Sequence, residues 1–134
     1  MAENQEKPGL SGYYIAGESY PITEEENKTG LLYSTLYRWT DWKHDVAHVL
    51  IEEFESGWIS CSNLEVAEEL RGTGCGDDIM KFCIEMGVNN LSVDRDNSVA
   101  ISLYKKYGFE FTGGTDGDLL RMERKSWRQK IVYL

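Results

Sequence analysis

Along the first half of the chain, apolar and polar residues alternate in short runs separated by polar turns. A two-residue period marks strands with one buried face. Gly12 to Ile22, rich in β-formers such as Tyr13, Tyr14, Ile15 and Tyr20, is predicted as a first strand. Thr23-Glu24-Glu25-Glu26 has the form of a capping box, which predicts a single helical turn before Gly30. Leu31 to Trp39 reads as a second strand, Thr40 to Asp45 as a polar turn and Val46 to Glu55 as a third strand. Ser56-Gly57 suits a two-residue hairpin loop into a fourth strand, Trp58 to Val66. The period then changes. Ile79, Phe82, Cys83 and Met86 fall at helical spacing, predicting a helix from about Cys75 to Met86 that Gly87 ends. Leu91 to Val93 begins a fifth strand. Ala100, Leu103, Tyr104 and Tyr107 share one face of a second helix, with Asp96 or Asn97 at its start and Gly108 as its stop. Phe109 to Gly113 and Leu119 to Trp127 complete the pattern as strands. Residues 1–10 read as disordered, and no repeat, linker or low-complexity segment interrupts the rest.

Composition narrows the class. A chain of 134 residues with 41% hydrophobic positions suits one domain with one core. No apolar run approaches the ~18 residues of a membrane-spanning helix. The polar, acidic opening segment lacks the basic and apolar regions of a signal peptide. Cys61, Cys75 and Cys83 are an odd set without metal-ligand spacing, which favours reduced thiols, a cytoplasmic setting and no metal. The formal charge is −9, yet residues 121–134 carry +4, leaving −13 on residues 1–120. Such an acidic body repels nucleic-acid phosphates and attracts cations. Amines, polyamines or Lys-rich tails therefore fit better than DNA or RNA, although solubility alone also explains an acidic surface. The basic end is either a solvated strand or a contact with the acidic body of a second subunit, which leaves a homodimer open.

One segment follows neither period. Arg71-Gly72-Thr73-Gly74-Cys75-Gly76 lies between the fourth strand and the first long helix. Three glycines in five positions let the main chain turn sharply and approach a bulky ligand. A helix starting there offers unpaired N–H groups and the positive end of its dipole to an anion. The run lacks the Gly-Lys-Ser/Thr of a Walker-type loop, and Gly72, Gly74 and Gly76 followed by Asp77 and Asp78 do not make a dinucleotide fingerprint. A loop that merely turns is the plain alternative. Cys75 occupies a position that can activate a nucleophile, though an ordinary loop residue is the simpler reading.

Together with Asn97-Ser98-Val99-Ala100-Ile101-Ser102-Leu103-Tyr104-Lys105-Lys106-Tyr107-Gly108-Phe109, this loop resembles the GNAT superfamily of acyl-CoA-dependent N-acetyltransferases. Arg71, Gly74 and Gly76 match that family's pyrophosphate loop, Gln/Arg-x-x-Gly-x-Gly/Ala. Asn97, Ala100, Tyr104, Lys106, Gly108 and Phe109 match its later signature, Asn-x-x-Ala-x-x-x-Tyr-x-Lys-x-Gly-Phe. The likeness runs from about Asn63 to Met122. It implies an α/β (α+β) fold with a mixed, mostly antiparallel sheet, splayed fourth and fifth strands and two main helices. It also implies acetyl-CoA as acyl donor. Leu64, Glu65 and Val66 would pair with the pantetheine arm, Asn97 would bond it, and the loop Arg71, Gly72, Thr73, Gly74, Cys75, Gly76 and Asp77 would cradle the pyrophosphate. The implied reaction is direct attack by a neutral amine in a ternary complex. The Val66 N–H would serve the oxyanion and Tyr104 would act as general acid toward the thiolate. A core tyrosine completing an apolar helix face would have the same spacing.

Several positions depart from the family. Ser92 stands where some members carry a fifth-strand glutamate, so the general base is left among Glu65, Asp94, the third-strand Glu52, Glu53 and Glu55, and water. Each of these carboxylates reads equally as a solvated strand residue, and His44 and His48 lie far upstream. The usual Val-x-Pro after the fourth strand is Val66-Ala67-Glu68. Asp77 and Asp78 suit a helix N-terminus but would oppose a pyrophosphate if turned inward, so they are expected outward. The family places two helices between its first two strands, whereas only Tyr20 to Thr29 is available here. That shortening implies an acceptor site open to a large substrate, a wall supplied by a second subunit, or lost catalysis. Three functions follow: transfer to a small cationic amine or a protein; non-catalytic acyl-CoA binding or protein interaction; and, disfavoured by charge, nucleic-acid modification.

Overall fold

In the computed structural model, which describes residues 10–125, the alternating segments assemble into one seven-stranded sheet. Its strands are β1 (Tyr14–Ser19), β2 (Leu31–Thr40), β3 (Asp45–Phe54), β4 (Ile59–Val66), β5 (Asn90–Val93), β6 (Phe109–Asp116) and β7 (Leu119–Arg124). They lie in the order β1-β2-β3-β4-β5-β7-β6, and only β4 and β5 pair in parallel. The helices are α1 (Glu24–Asn27), α2 (Cys75–Glu85) and α3 (Ser98–Lys106), with a 3-10 turn at Glu68–Leu70. A single helical turn is marginal by itself. At α1 the capping box holds it: Thr23 Oγ1 accepts from the Glu26 N–H, and Glu26 Oε1 from the Thr23 N–H.

Two sequence expectations are corrected. The β3–β4 hairpin turns through three residues, not two. The Gly57 N–H donates to the Phe54 carbonyl and the Phe54 N–H to the Trp58 carbonyl, with Gly57 at φ +97° supplying the left-handed position that closes such a loop. Leu10, assigned to a disordered start, is buried, and its N–H donates to Asp78 Oδ2 at 2.6 Å. The rest of that opening segment, and the last residues assigned to the closing strand as far as Trp127, lie outside the described residues.

The core forms on one face of the sheet. Ile79, Met80 and Cys83 of α2 are fully buried and belong to one cluster with Val49, Ile51, Cys61, Leu91, Phe109 and Met122. Phe82 meets the rings of Tyr37 and Trp39 edge-on at 4.9 and 5.2 Å. Helix α3 docks beside α2, where a Cβ added at Gly76 would stand 3.0 Å from Leu103 Cδ2. Only the four-residue α1 separates β1 from β2, so the opposite face, carrying Leu36, Arg38, His48 and Leu50, has no helical layer among the described residues. Because Ile79 has no exposed surface, Ile79→Ala should cost about 2–5 kcal/mol of stability. Urea denaturation at constant m-value is the measurement.

Candidate active site

The site grows from an interrupted ladder. Parallel pairing of β4 with β5 is confined to Ser60 with Asn90 and Cys61 with Leu91. Beyond them β5 stays with β7 while β4 stays with β3. The divergence coincides with a bulge in β4: Leu50 opposes Ser62 and His48 opposes Glu65, so Asn63 and Leu64 together face Val49. Asn63 adopts φ +53°, a conformation asparagine tolerates better than most residues. A bulge bends its strand and takes main-chain groups off the ladder. Past the bulge, the Ala67 N–H donates to the Val46 carbonyl at 2.7 Å. By the alternation of an antiparallel ladder, Glu65 then turns its main chain to β3, and Val66 turns its own to the open edge. Glu65 therefore offers the edge no main-chain group, and its side chain lies 3.6 Å from His48.

At the far end of β4, the glycine segment rises into α2. Gly74 is left-handed at φ +92°, as is Gly72 at +81°, and a Cβ at either would meet nothing within 4 Å. Gly72 and Gly74 thus border open space, and apart from the buried Cys75 the loop is half-buried to exposed. The Arg71 and Thr73 N–H groups are spent on the Glu68 and Leu70 carbonyls, whereas those of Gly72, Gly74, Cys75, Gly76 and Asp77 meet no acceptor among the described residues. Arg71 contributes through its side chain instead, with Nε donating to the Val66 carbonyl at 3.1 Å. Cys75 is buried beside Thr73 Oγ1, which fits the simpler loop reading. Both acidic residues turn away from the amides. Asp77 Oδ1 accepts from Lys106 Nζ at 2.6 Å and from the Tyr107 hydroxyl at 2.7 Å, and Asp78 receives Leu10. Lys106 and Tyr107 hold the Asp77 carboxyl below the usual range, while the same carboxylate pushes the Tyr107 phenol up to about 12.

Tyr104 points from α3 toward the splay. It lines a cleft of about 480 Å³ with Cys61, Asn63 and Leu64 of β4 and Leu91 of β5. Burial, with lesser contributions from Cys61 and Cys83, pushes its phenol up to about 12, so it keeps its proton at neutral pH. A hydrogen bond to Cys61 likewise raises the Cys83 thiol, with burial adding to the effect, so Cys83 does not suit a thiolate role. Glu52 lines the same cleft, 3.5 Å from Ser34 Oγ. The other base candidates do not: Asp94 is exposed and accepts the Asp96 N–H, and Glu53, Glu55 and Glu65 lie outside the cleft lining. Asn97 caps α3, its Oδ1 accepting from the Ala100 N–H at 3.1 Å, which leaves its amide nitrogen as the outward group. Ser62, Ser92, Asp116 and Arg121 also line the cleft, and sequence reasoning missed their role. The β6–β7 return brings the last two there, and no local motif announces it. Among the described residues, no group of three or more His, Cys, Asp or Glu is placed to hold a metal, and no helix is long and apolar enough to cross a membrane.

A sheet parted between its parallel strands, with open amides heading the adjoining helix, is the architecture of an acyl-CoA-dependent acyltransferase. The family model described as "Acetyltransferase (GNAT) family" matches residues 9–109, and the chain belongs to that family. An uncharacterized N-acetyltransferase of Bacillus subtilis, YobR, is 41% identical over 59 residues, 40% of this chain and 24% of its own length. The chain thus spans about a quarter of the curated relative it matches. Among solved structures, an IAA acetyltransferase from Bacillus cereus is similar with TM-score 0.60 and 17% identity, over 84% of this chain and all of the other. A GNAT family acetyltransferase from Elizabethkingia anophelis with acetyl-CoA bound reaches TM-score 0.61 at 15% identity, covering 84% and 98%. At those identities the likeness is one of fold.

The Asp77 latch generates a pH prediction. A carboxyl whose folded pKa is depressed stabilises the fold above its unfolded value of about 3.9, and that stability is lost as pH falls through the folded value. The stability difference between wild type and Asp77→Asn should stay constant from neutrality down to about pH 5 and shrink below about pH 4. Denaturation curves across pH 2–7, about the whole window concerned, provide the check.

Proposed function

We propose that the chain acts as one domain that binds acetyl-CoA along β4 and moves its acetyl group to an amine. The carrying observation is the open edge of β4 beyond Cys61, faced across a single cleft by a protonated Tyr104. A main-chain edge without a partner is suited to an amide-bearing ligand arm that adds as a pseudo-strand. Leu64 and Val66 are the residues we assign to that pairing, with the Asn97 amide nitrogen reaching the arm from the head of α3. The Arg71 guanidinium now on the Val66 carbonyl would be displaced toward the ligand. The free amides of Gly72, Gly74, Cys75, Gly76 and Asp77 fit a pyrophosphate, since they head a helix without an acceptor among the described residues, Gly72 and Gly74 border open space, and the Asp77 carboxylate is engaged by Lys106. Membership of the family and the acetyl-CoA bound to the Elizabethkingia protein support this donor.

Acetyl-CoA, when bound, supplies an activated acyl carbon and a thiolate leaving group. The residues of the chain manage the protons and the oxyanion. An alkyl amine is almost wholly protonated at neutral pH and must lose a proton before it can attack. Glu52, directly or through water, is the group in the cleft we assign to accept it. Val66 was the sequence's candidate for the oxyanion, but it lies beyond the lining that Tyr104 shares, whereas Leu64 at the bulge lies within it. The Leu64 main chain therefore takes that role. Tyr104 then gives its hydroxyl proton to the departing sulfur. The uncovered sheet face favours one second reading, a non-catalytic acyl-CoA-binding module, because one wall of an acceptor site is missing among the described residues.

Saturating acetyl-CoA should raise the melting temperature, and a screen of amines should release free CoA thiol. Binding without release from any amine would select the non-catalytic reading. Tyr104→Phe should fold normally and slow transfer by about 10²-fold or more; an unchanged rate at every pH would remove Tyr104 from the mechanism. Glu52→Gln should lower kcat/KM near neutrality by a similar factor and recover as pH approaches the amine's own pKa of about 10, where no base is needed. A deficit constant with pH would instead make Glu52 a positioning residue.

A further inference from the structure

We propose that the acceptor is an amine that also carries a carboxylate, and that Arg121 selects it by binding that carboxylate. The inference rests on the transferase reading above and concerns the other half of the same cleft. Arg121, on β7 and opposite Ser92 of β5, lines the cleft together with Tyr104 and Glu52. Its guanidinium carbon stands 4.2 Å from the centre of the Trp58 ring. Stacking of this kind occupies the flat face of the group and leaves the in-plane N–H fork available. Its stem runs along the β6 backbone: a Cβ added at Gly114 would be in ordinary contact with Arg121 Cδ at 3.6 Å, in the stretch where the β6–β7 register shifts.

Among the described residues the fork has no counter-ion. Glu52 and Asp116 line the cleft as well, yet among the described residues no ion pair includes Arg121. In a chain with 23 acidic and 14 basic residues, a half-buried arginine held in place by an aromatic ring and left without a carboxylate is poised for an anion from outside. A planar fork matches a carboxylate bidentately. Of the two cleft carboxylates, Asp116 accepts from the hydroxyl of Ser92, the register partner of Arg121, at 3.4 Å, whereas Glu52, beside Ser34 on β3, suits an ammonium group. Glu52 and Arg121 stand three strands apart in the sheet order, and a negative and a positive group so spaced along one cleft describe an amino acid or a similar amino-carboxylate. A polyamine would instead bring positive charge against Arg121.

Calorimetric titration of the protein saturated with CoA, which cannot turn over, tests this directly. The probes are matched pairs: L-phenylalanine with phenethylamine, L-leucine with isoamylamine, L-methionine with 3-(methylthio)propylamine, and L-lysine with cadaverine. In at least one pair the amino acid should bind tighter than its decarboxylated partner by on the order of tenfold or more. Arg121→Met, which keeps a stem against Trp58, should abolish that preference, and Arg121→Lys should keep part of it; melting temperatures verify folding. Equal or tighter binding of the decarboxylated amines, an equal loss for both members in Arg121→Met, or no binding by any pair would overturn the proposal. The CoA titration that precedes each experiment reports on the donor site by itself, so failure there is separable from failure of acceptor selection.

Discussion

Two residue pairs, Ser60 with Asn90 and Cys61 with Leu91, are the whole of the contact that joins β4 to β5 as a ladder. The cleft lined by Tyr104 opens where that ladder stops. A central strand normally satisfies its main chain on both sides, because an unpaired edge inside a structure is costly. Here β4 keeps β3 on one side and leaves the other open, directly above a helix residue, Tyr104, that a full sheet would have hidden. The bulge at Asn63 and Leu64 is the local device that permits this. It shifts the register with β3 by one residue, yet pairing resumes at Glu65 and Val66. The arrangement leaves polar backbone of β4 without a strand partner on that side.

The electrostatics around the helix head show a conflict resolved by packing. A helix N-terminus favours negative charge, and Asp77 and Asp78 supply it from the first turn. Left free, those carboxylates would compete with any anion for the amides. Lys106 and Tyr107 draw Asp77 toward α3, and the Leu10 N–H draws Asp78 toward the start of the chain. The same bonds tie α2 to α3 and to the segment before β1. One set of contacts therefore stabilises the fold and keeps the amides clear.

The uncovered face of β1 to β4 has a different consequence. Where the family packs helices, this chain has one capped turn, and the cleft opens broadly above Glu52, Trp58 and Arg121. Recognition must then rest on side chains of the sheet itself rather than on an enclosing wall. Strand positions are rigid, and an arginine braced on a tryptophan loses little freedom when it binds. An acidic chain that keeps a guanidinium in such a place uses position, not net charge, to choose its ligand.

Periodicity alone carried the strands from Tyr14 to Val66, both long helices and their glycine stops, because each is set by local burial pattern and cap chemistry. The left-handed glycine turn at residues 72 and 74 leading into a helix was equally local, since glycine spacing and a helix start need no distant partner. Which of the loop's amides are free was not local: Arg71 and Thr73 spend theirs in turns that only the three-dimensional path of the chain defines. The bulge at Asn63, the turning of the Glu65 main chain to β3 and the presence of Glu52, but not Glu53, Glu55 or Glu65, in the cleft lining are tertiary facts that the local pattern does not show. Arg121 and Asp116 reach the cleft because β7 inserts beside β5, a placement decided by long-range pairing. Sequence determines what each segment can be, since propensity acts over a few residues. Tertiary structure decides which segments meet, since a pairing partner tens of residues away leaves no mark on its neighbour's local pattern.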